Sequence, residues 1–177
     1  MFYKRLLPLG LLLLFTSCVS VPDNVQPVTG FEIDRYLGQW YEIARLDHSF
    51  EEDLQRVTAT YSMNNDGTVH VVNRGFDVKE GKWSEAVGKA KFVQAPSTGF
   101  LKVSFFGPFY GSYVIFELDK QGYSYAFVTG GKNTLWLLAR EPQVEQAVLD
   151  RFLAQSKSKG YPVNELIYVK HEQIATN

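Results

Sequence analysis

Cysteine occurs once in the 177 residues, at Cys18, which excludes an intramolecular disulfide and a thiolate metal cluster. Positive charge is not in excess. The 18 Lys and Arg face 19 Asp and Glu, so nothing is left to neutralise a phosphate backbone, and nucleic acid is excluded as a partner. No apolar run is long enough to span a bilayer as a helix. The longest, residues 6–15, is broken by Pro8 and Gly10 and has half of the ~20 residues required. Histidine is sparse, and His48, His70 and His171 show no ligand spacing, so neither a metal nor another cofactor is expected. No Gly-x-Ser-x-Gly elbow is present. Gly130-Gly131-Lys132-Asn133-Thr134 lacks the earlier glycine of a phosphate loop, because position 126 is Ala, and reads as a hairpin turn. Glu42 is the one carboxylate expected to face inward, and a lone buried acid is more often a hydrogen-bonded structural group than a catalyst. An enzyme is therefore not expected. What the chain has in surplus is aromatic: 13 Phe, 10 Tyr and 3 Trp make up 15% of the residues.

Residues 1–17 read as a secretory signal: a basic start at Lys4 and Arg5, the apolar run, then Thr16 and Ser17. An uncleaved anchor helix is the competing reading. Residues 18–29, with Pro22 and Pro27, are expected to form an extended tether, and residues 30–177 the folded domain.

Between 38 and 140 the chain alternates short β-type runs with turn signals every 8 to 12 residues. The runs are 40–46, 57–63, 69–76, 86–93, 100–106, 112–118, 123–129 and 135–139, with Asp66-Gly67 as a strong hairpin signal. The period then changes. Val144, Val148 and Phe152, beside Leu149 and Leu153, recur at helical spacing over 142–159, with Pro142 at the first helical position and Gly160 and Pro162 at the stop. A last short strand covers 166–169. Eight sequential antiparallel strands and one helix predict an all-β fold, an up-and-down barrel with a C-terminal α-helix packed outside.

Alternation then assigns the inward side chains. Trp40, Glu42, Ala44 and Leu46 share one face, followed by Val57, Ala59 and Tyr61, then Val69, Val71 and Asn73. Ala86, Gly88, Ala90 and Phe92 come next, then Leu101, Val103 and Phe105, then Tyr113 and Ile115. Ala126, Val128, Trp136 and Leu138 complete the ring. A barrel of this size either fills its interior or holds one small ligand. The small residues on several inward faces favour a cavity. Large residues opposite them, filling the gaps, are the alternative. The Phe105 to Tyr110 cluster falls in a connection that shares the open end with 47–56, 77–85 and 130–133, and such a cluster, where exposed, marks a contact with lipid, membrane or a second subunit. The alternative is that Phe105 points inward and Phe106 packs under the helix, leaving only Phe109 and Tyr110 exposed.

Phe15-Thr16-Ser17-Cys18 resembles the lipobox of bacterial lipoproteins, with Phe15 where Leu is usual. That resemblance implies cleavage before Cys18 and its lipidation, and Val19 in place of Asp implies the outer membrane. Gly38-Gln39-Trp40-Tyr41-Glu42-Ile43-Ala44-Arg45 resembles the opening signature of the lipocalins, and Arg140 matches their late arginine. The middle signature departs from the family, reading Leu118-Asp119-Lys120 and then Tyr123. The string from Leu101 to Gly111 is similar to that of bacterial outer-membrane lipoprotein lipocalins, and the likeness spans about residues 30–170. It implies an eight-stranded barrel closed at one end by Gly38, Trp40 and Arg140. It also implies a periplasm-facing, lipid-anchored carrier or store of a fatty acid or lysophospholipid that supports membrane biogenesis or repair. The ligand-binding cavity would be lined by Ala44, Ala59, Tyr61, Val71, Asn73, Ala86, Gly88, Ala90, Val103, Phe105, Tyr113, Ile115, Ala126, Val128, Trp136 and Leu138. Arg74, Lys79, Lys82 and Lys132 are candidates for contact with a head group. A homodimer is open. The competing function is an interaction lipoprotein with a filled barrel and an aromatic docking loop.

Overall fold

The computed structural model describes residues 19–49 and 51–171; the expected signal segment, 1–17, the expected lipidation site Cys18 and the chain from 172 onward lie outside them. A short helix α1 (Ile33–Tyr36) leads into eight strands: β1 (Gly38–Arg45), β2 (Leu54–Met63), β3 (Val69–Asp77), β4 (Lys82–Phe92), β5 (Phe100–Ser104), β6 (Gly111–Leu118), β7 (Tyr125–Gly131) and β8 (Thr134–Ala139). Helix α2 (Gln146–Ser158), a 3₁₀ turn (Val163–Glu165) and β9 (Ile167–Tyr168) follow. Each strand pairs antiparallel with the next, and β1 pairs with both β2 and β8, so the sheet closes on itself. Closure leaves no long edge for a second chain to extend.

Two apolar clusters lie on the two faces of the sheet. The inner one is built on Trp40, Tyr61, Val71, Leu101, Ile115 and Val128. The outer one joins Phe116, Phe127, Leu135 and Leu137 to Phe152 of α2. The Phe127 and Phe152 rings meet edge to face, 5.1 Å between centroids. The period-3.6 stripe of α2 and the odd-numbered outward residues of β7 and β8 are thus complementary halves of one interface. The connections 46–53, 78–81, 105–110 and 132–133 lie at the open end, while α1 and the turns 64–68, 93–99 and 119–124 lie at the other.

Three expectations are corrected. The register of β1 against β8 shifts between Glu42 and Ala44, and this bulge inverts the alternation. Ala44 and Leu46 therefore belong to the outer cluster, under α2, and Arg45 is turned inward instead. Helix α2 starts at Gln146, not at Pro142, because the chain leaving β8 is still tied to the barrel floor: the Arg140 amide donates to the Ser124 carbonyl at 2.8 Å. Finally, of the expected tether 18–29, residues 19–29 pack on the barrel, and Cys18 lies outside the described residues. Val25 is buried, Val19 and Val21 pack on the outer cluster, and Thr29 bridges Thr98.

Candidate functional site

The floor comes first. Gly38 takes a left-handed φ of +91°, which lets Trp40 enter the barrel directly after α1, and a Cβ at that glycine would lie 3.4 Å from the Arg140 guanidinium. Arg140 lies 4.0 Å over the Trp40 ring. Its Nη1 donates to the Gln39 carbonyl at 2.8 Å, Nη2 to the Arg35 carbonyl at 2.7 Å and Nε to the Tyr123 carbonyl at 3.3 Å. The indole Nε1 donates to the Tyr36 carbonyl at 2.8 Å. A planar cation with a fork of donors satisfies carbonyls on three segments at once and holds the floor shut.

Above the floor is a cavity of about 90 Å³, opening into a mouth that brings the unfilled space to about 830 Å³ with open solvent counted. Of the expected lining residues, Ala59, Tyr61, Val71, Asn73, Ala90, Val103, Phe105, Tyr113, Trp136 and Leu138 are on its wall. Ala44 is not, for the reason given. Ile115, Ala126 and Val128 are buried in the inner cluster without reaching the cavity surface. Ala86 is exposed on the upper part of β4. Gly88 leaves no space either: the Phe105 ring stands 2.8 Å from where its Cβ would be, so the small residue admits an aromatic neighbour rather than a ligand. Phe31, Ile33 and Tyr36 also line the cavity, from the segment before β1. No strand alternation could assign them, since they are not in a strand.

Two polar groups interrupt the apolar wall. The hydroxyls of Tyr36, Tyr113 and Tyr61 form a chain, each link 2.8 Å. Burial pushes all three phenols well up, so they are neutral. Two links use two of the three O–H protons, and one donor remains available to a ligand. The second group lies between β1 and the following loop. Arg45 Nη1 donates to Glu42 Oε1 at 2.8 Å, and its Nη2 donates to the carbonyls of Glu51 at 2.8 Å and Leu54 at 3.1 Å. Glu51 Oε2 accepts from Trp136 Nε1 at 3.2 Å and lies 3.0 Å from His48 Nε2. Burial, then the negative charge of Glu51, raise the Glu42 carboxyl well above the usual range against the pull of Arg45. Glu51 was missed from the sequence because it sits in a polar loop; its partner Arg45 was misplaced by the same bulge that moved Ala44.

Of the head-group candidates, Lys79, Lys82 and Lys132 lie on or beside connections at the open end, and Arg74 does not. Arg74 is on the outer face of β3, 4.2 Å over the Trp83 ring, with Arg56 at 4.8 Å from the same ring. Lys79 pairs with Asp53 at 2.6 Å and Lys82 pairs with Glu80. Lys132 is exposed on the turn after β7. Among the described residues, no three His, Cys, Asp or Glu side chains are arranged to hold a metal ion.

Residues 31–171 match the family described as a Lipocalin-like domain. The chain is 55% identical over 160 residues to the outer membrane lipoprotein Blc of Vibrio cholerae serotype O1, covering 90% of this chain and 94% of that one. It is 43% identical over 173 residues to the protein of the same name from Escherichia coli K12, covering 94% and 97%. Among solved structures, insecticyanin from the tobacco hornworm Manduca sexta superposes with a TM-score of 0.71 at 19% identity, over 89% of this chain and 90% of that one.

Proposed function

The chain belongs to the lipocalin-like family, and from that premise we propose that it takes a single-chain lipid, fatty acid or lysophospholipid, into its barrel. Relatives at 43% and 55% identity are named outer membrane lipoproteins, and this protein is an outer membrane lipoprotein of the same kind. In this reading Cys18 carries the acyl anchor and the domain faces the periplasm. It acts as a binding protein rather than an enzyme.

The observation that carries the proposal is the cavity itself: largely apolar, closed at the floor by Arg140 and Trp40, and open at the other end. Each buried methylene contributes ~0.8 kcal/mol, so a sixteen-carbon chain gains roughly 13 kcal/mol gross. Lost association entropy and chain ordering offset much of this, which leaves micromolar or tighter binding. The spare tyrosine hydroxyl offers a hydrogen bond to an acceptor on the ligand, and because the phenols are neutral it does so without requiring a counter-charge. The competing reading, an interaction module with a filled barrel, predicts no uptake of lipid.

The test is displacement of a fluorescent fatty acid from the mature chain carrying Cys18→Ser. A sixteen-carbon fatty acid or its lysophospholipid should compete at micromolar concentration. Ala90→Trp, which puts an indole into the cavity, should lose binding at least tenfold while the far-ultraviolet spectrum stays unchanged. Undiminished binding by Ala90→Trp would move the ligand out of the barrel.

A further inference from the structure

The charge on the cavity wall is of one sign. Glu42 and Glu51 line it, and among its described lining residues there is no Lys, Arg or His. The buried Arg45 guanidinium, itself not a lining residue, has both Nη atoms committed, to Glu42 and to the carbonyls of Glu51 and Leu54. An ionised head group drawn into this wall would lose its water, find no free cation and meet two acids. The ionised head of an anionic lipid therefore stays at the mouth, and only the uncharged chain enters.

Two polar groups on the wall nevertheless call for a partner, in opposite senses. In the row Tyr36, Tyr113, Tyr61, one O–H is left over once both links are made. On β3, Asn73 Oδ1 is buried and, among the described residues, has no hydrogen-bond partner. Buried acceptors left in this state are uncommon and destabilise the fold until a donor arrives. The two groups are neighbours. Tyr61 is opposite Val71 and Ala59 is opposite Asn73, so Tyr61 and Asn73 line the cavity one step apart on adjacent strands, with about 7 Å between their Cβ atoms. Both belong to the deeper part of the barrel. The Tyr36 ring packs on Trp40 of the floor, 4.6 Å between centroids, and 5.4 Å from the ring of Tyr61.

A spare donor and a spare acceptor on one apolar wall are met together by a hydroxyl, which donates one hydrogen bond and accepts another. A carboxylate only accepts, and a saturated chain does neither. We infer that the barrel selects a single-chain lipid whose acyl chain carries a hydroxyl along its length, away from the head, received by the Tyr36, Tyr113 and Tyr61 hydroxyls and by Asn73. The inference deepens the lipid-carrier reading and rests on it. In a wholly apolar cavity a hydroxyl on the chain weakens binding, because it gives up water and gains nothing. Here the sign is reversed.

The test compares octadecanoic acid with its 3-hydroxy, 10-hydroxy and 12-hydroxy derivatives as competitors of a fluorescent fatty acid on the mature chain with Cys18→Ser. The better of the 10-hydroxy and 12-hydroxy acids should compete at about one tenth the concentration of octadecanoic acid, the value of one net hydrogen bond. The 3-hydroxy acid, whose hydroxyl stays beside the head, should gain nothing. Tyr36→Phe with Tyr61→Phe and Tyr113→Phe, and separately Asn73→Leu, should each bring the ratio of hydroxylated to plain acid to one or below. The ratio within a single variant is the readout, so a general loss of affinity does not imitate the effect. Binding of octadecanoic acid with no gain from a mid-chain hydroxyl would overturn the inference and leave carriage standing. An equal gain from the 3-hydroxy acid, or a preference that survives in both variants, would overturn it as well. Binding of none of the four acids would overturn carriage and the inference together.

Discussion

Single residues carry the two ends of this barrel in different ways. Arg140 is held by stacking on Trp40 and by carbonyls of Gln39, Arg35 and Tyr123, so no other side chain replaces both its plane and its donors. Arg140→Ala should lower unfolding free energy by about 2–4 kcal/mol, read by chemical denaturation, because it uncovers the indole and leaves carbonyls unsatisfied. Glu42 works through its proton. Its folded-state carboxyl titrates above the ordinary 4.5, so over the range between those two values the folded chain holds a proton that the unfolded chain releases. Stability contributed by this group is full below the ordinary value and falls as pH rises toward the raised one. Glu42→Gln keeps an acceptor for Arg45 and removes the titration. The decline in denaturation midpoint as pH rises above 4.5 should therefore be shallower in the variant. An equally steep decline would assign the pH dependence to other groups.

At the scale of elements, the strands and α2 were legible because both periods are plain: alternation from residue 38 to 139, then the stripe ending in Phe152. What alternation could not show is where it breaks. A single bulge in β1 moved Ala44 and Leu46 to the outside and Arg45 to the inside, and with them the polar cluster on the cavity wall. Tyr36 was invisible for another reason. It belongs to a four-residue helix whose role is fixed by the Tyr113 and Tyr61 hydroxyls, distant in sequence and adjacent only once the barrel closes. For the expected head-group contacts, charge alone says nothing about local partners: Asp53 and Glu80 pair with Lys79 and Lys82. The packing of α2 gives its own prediction. Phe152 is fully buried against Phe127, so Phe152→Ala should cost about 3–5 kcal/mol in denaturation, with ligand affinity retained because the outer cluster does not touch the cavity. Affinity that fell in parallel would show the two clusters to be coupled.

The whole molecule combines a closed floor, a largely apolar cavity open at the other end and an N-terminal segment packed from the mouth toward the floor. Absence of disulfides fits this design, since ring closure and two apolar clusters stabilise the domain without them. Lipid carriage and anchoring at Cys18 are separable claims, and carriage is the one on which the other depends for purpose. The most direct measurement is native mass spectrometry of the mature chain with Cys18→Ser, isolated from a bacterial host and followed by organic extraction. A lipid carrier should appear with one single-chain lipid per protein, displaced by added lysophospholipid and missing from Ala90→Trp. A protein that emerges empty, and stays empty when fatty acid or lysophospholipid is offered, would contradict carriage and leave the barrel as a scaffold for its loops.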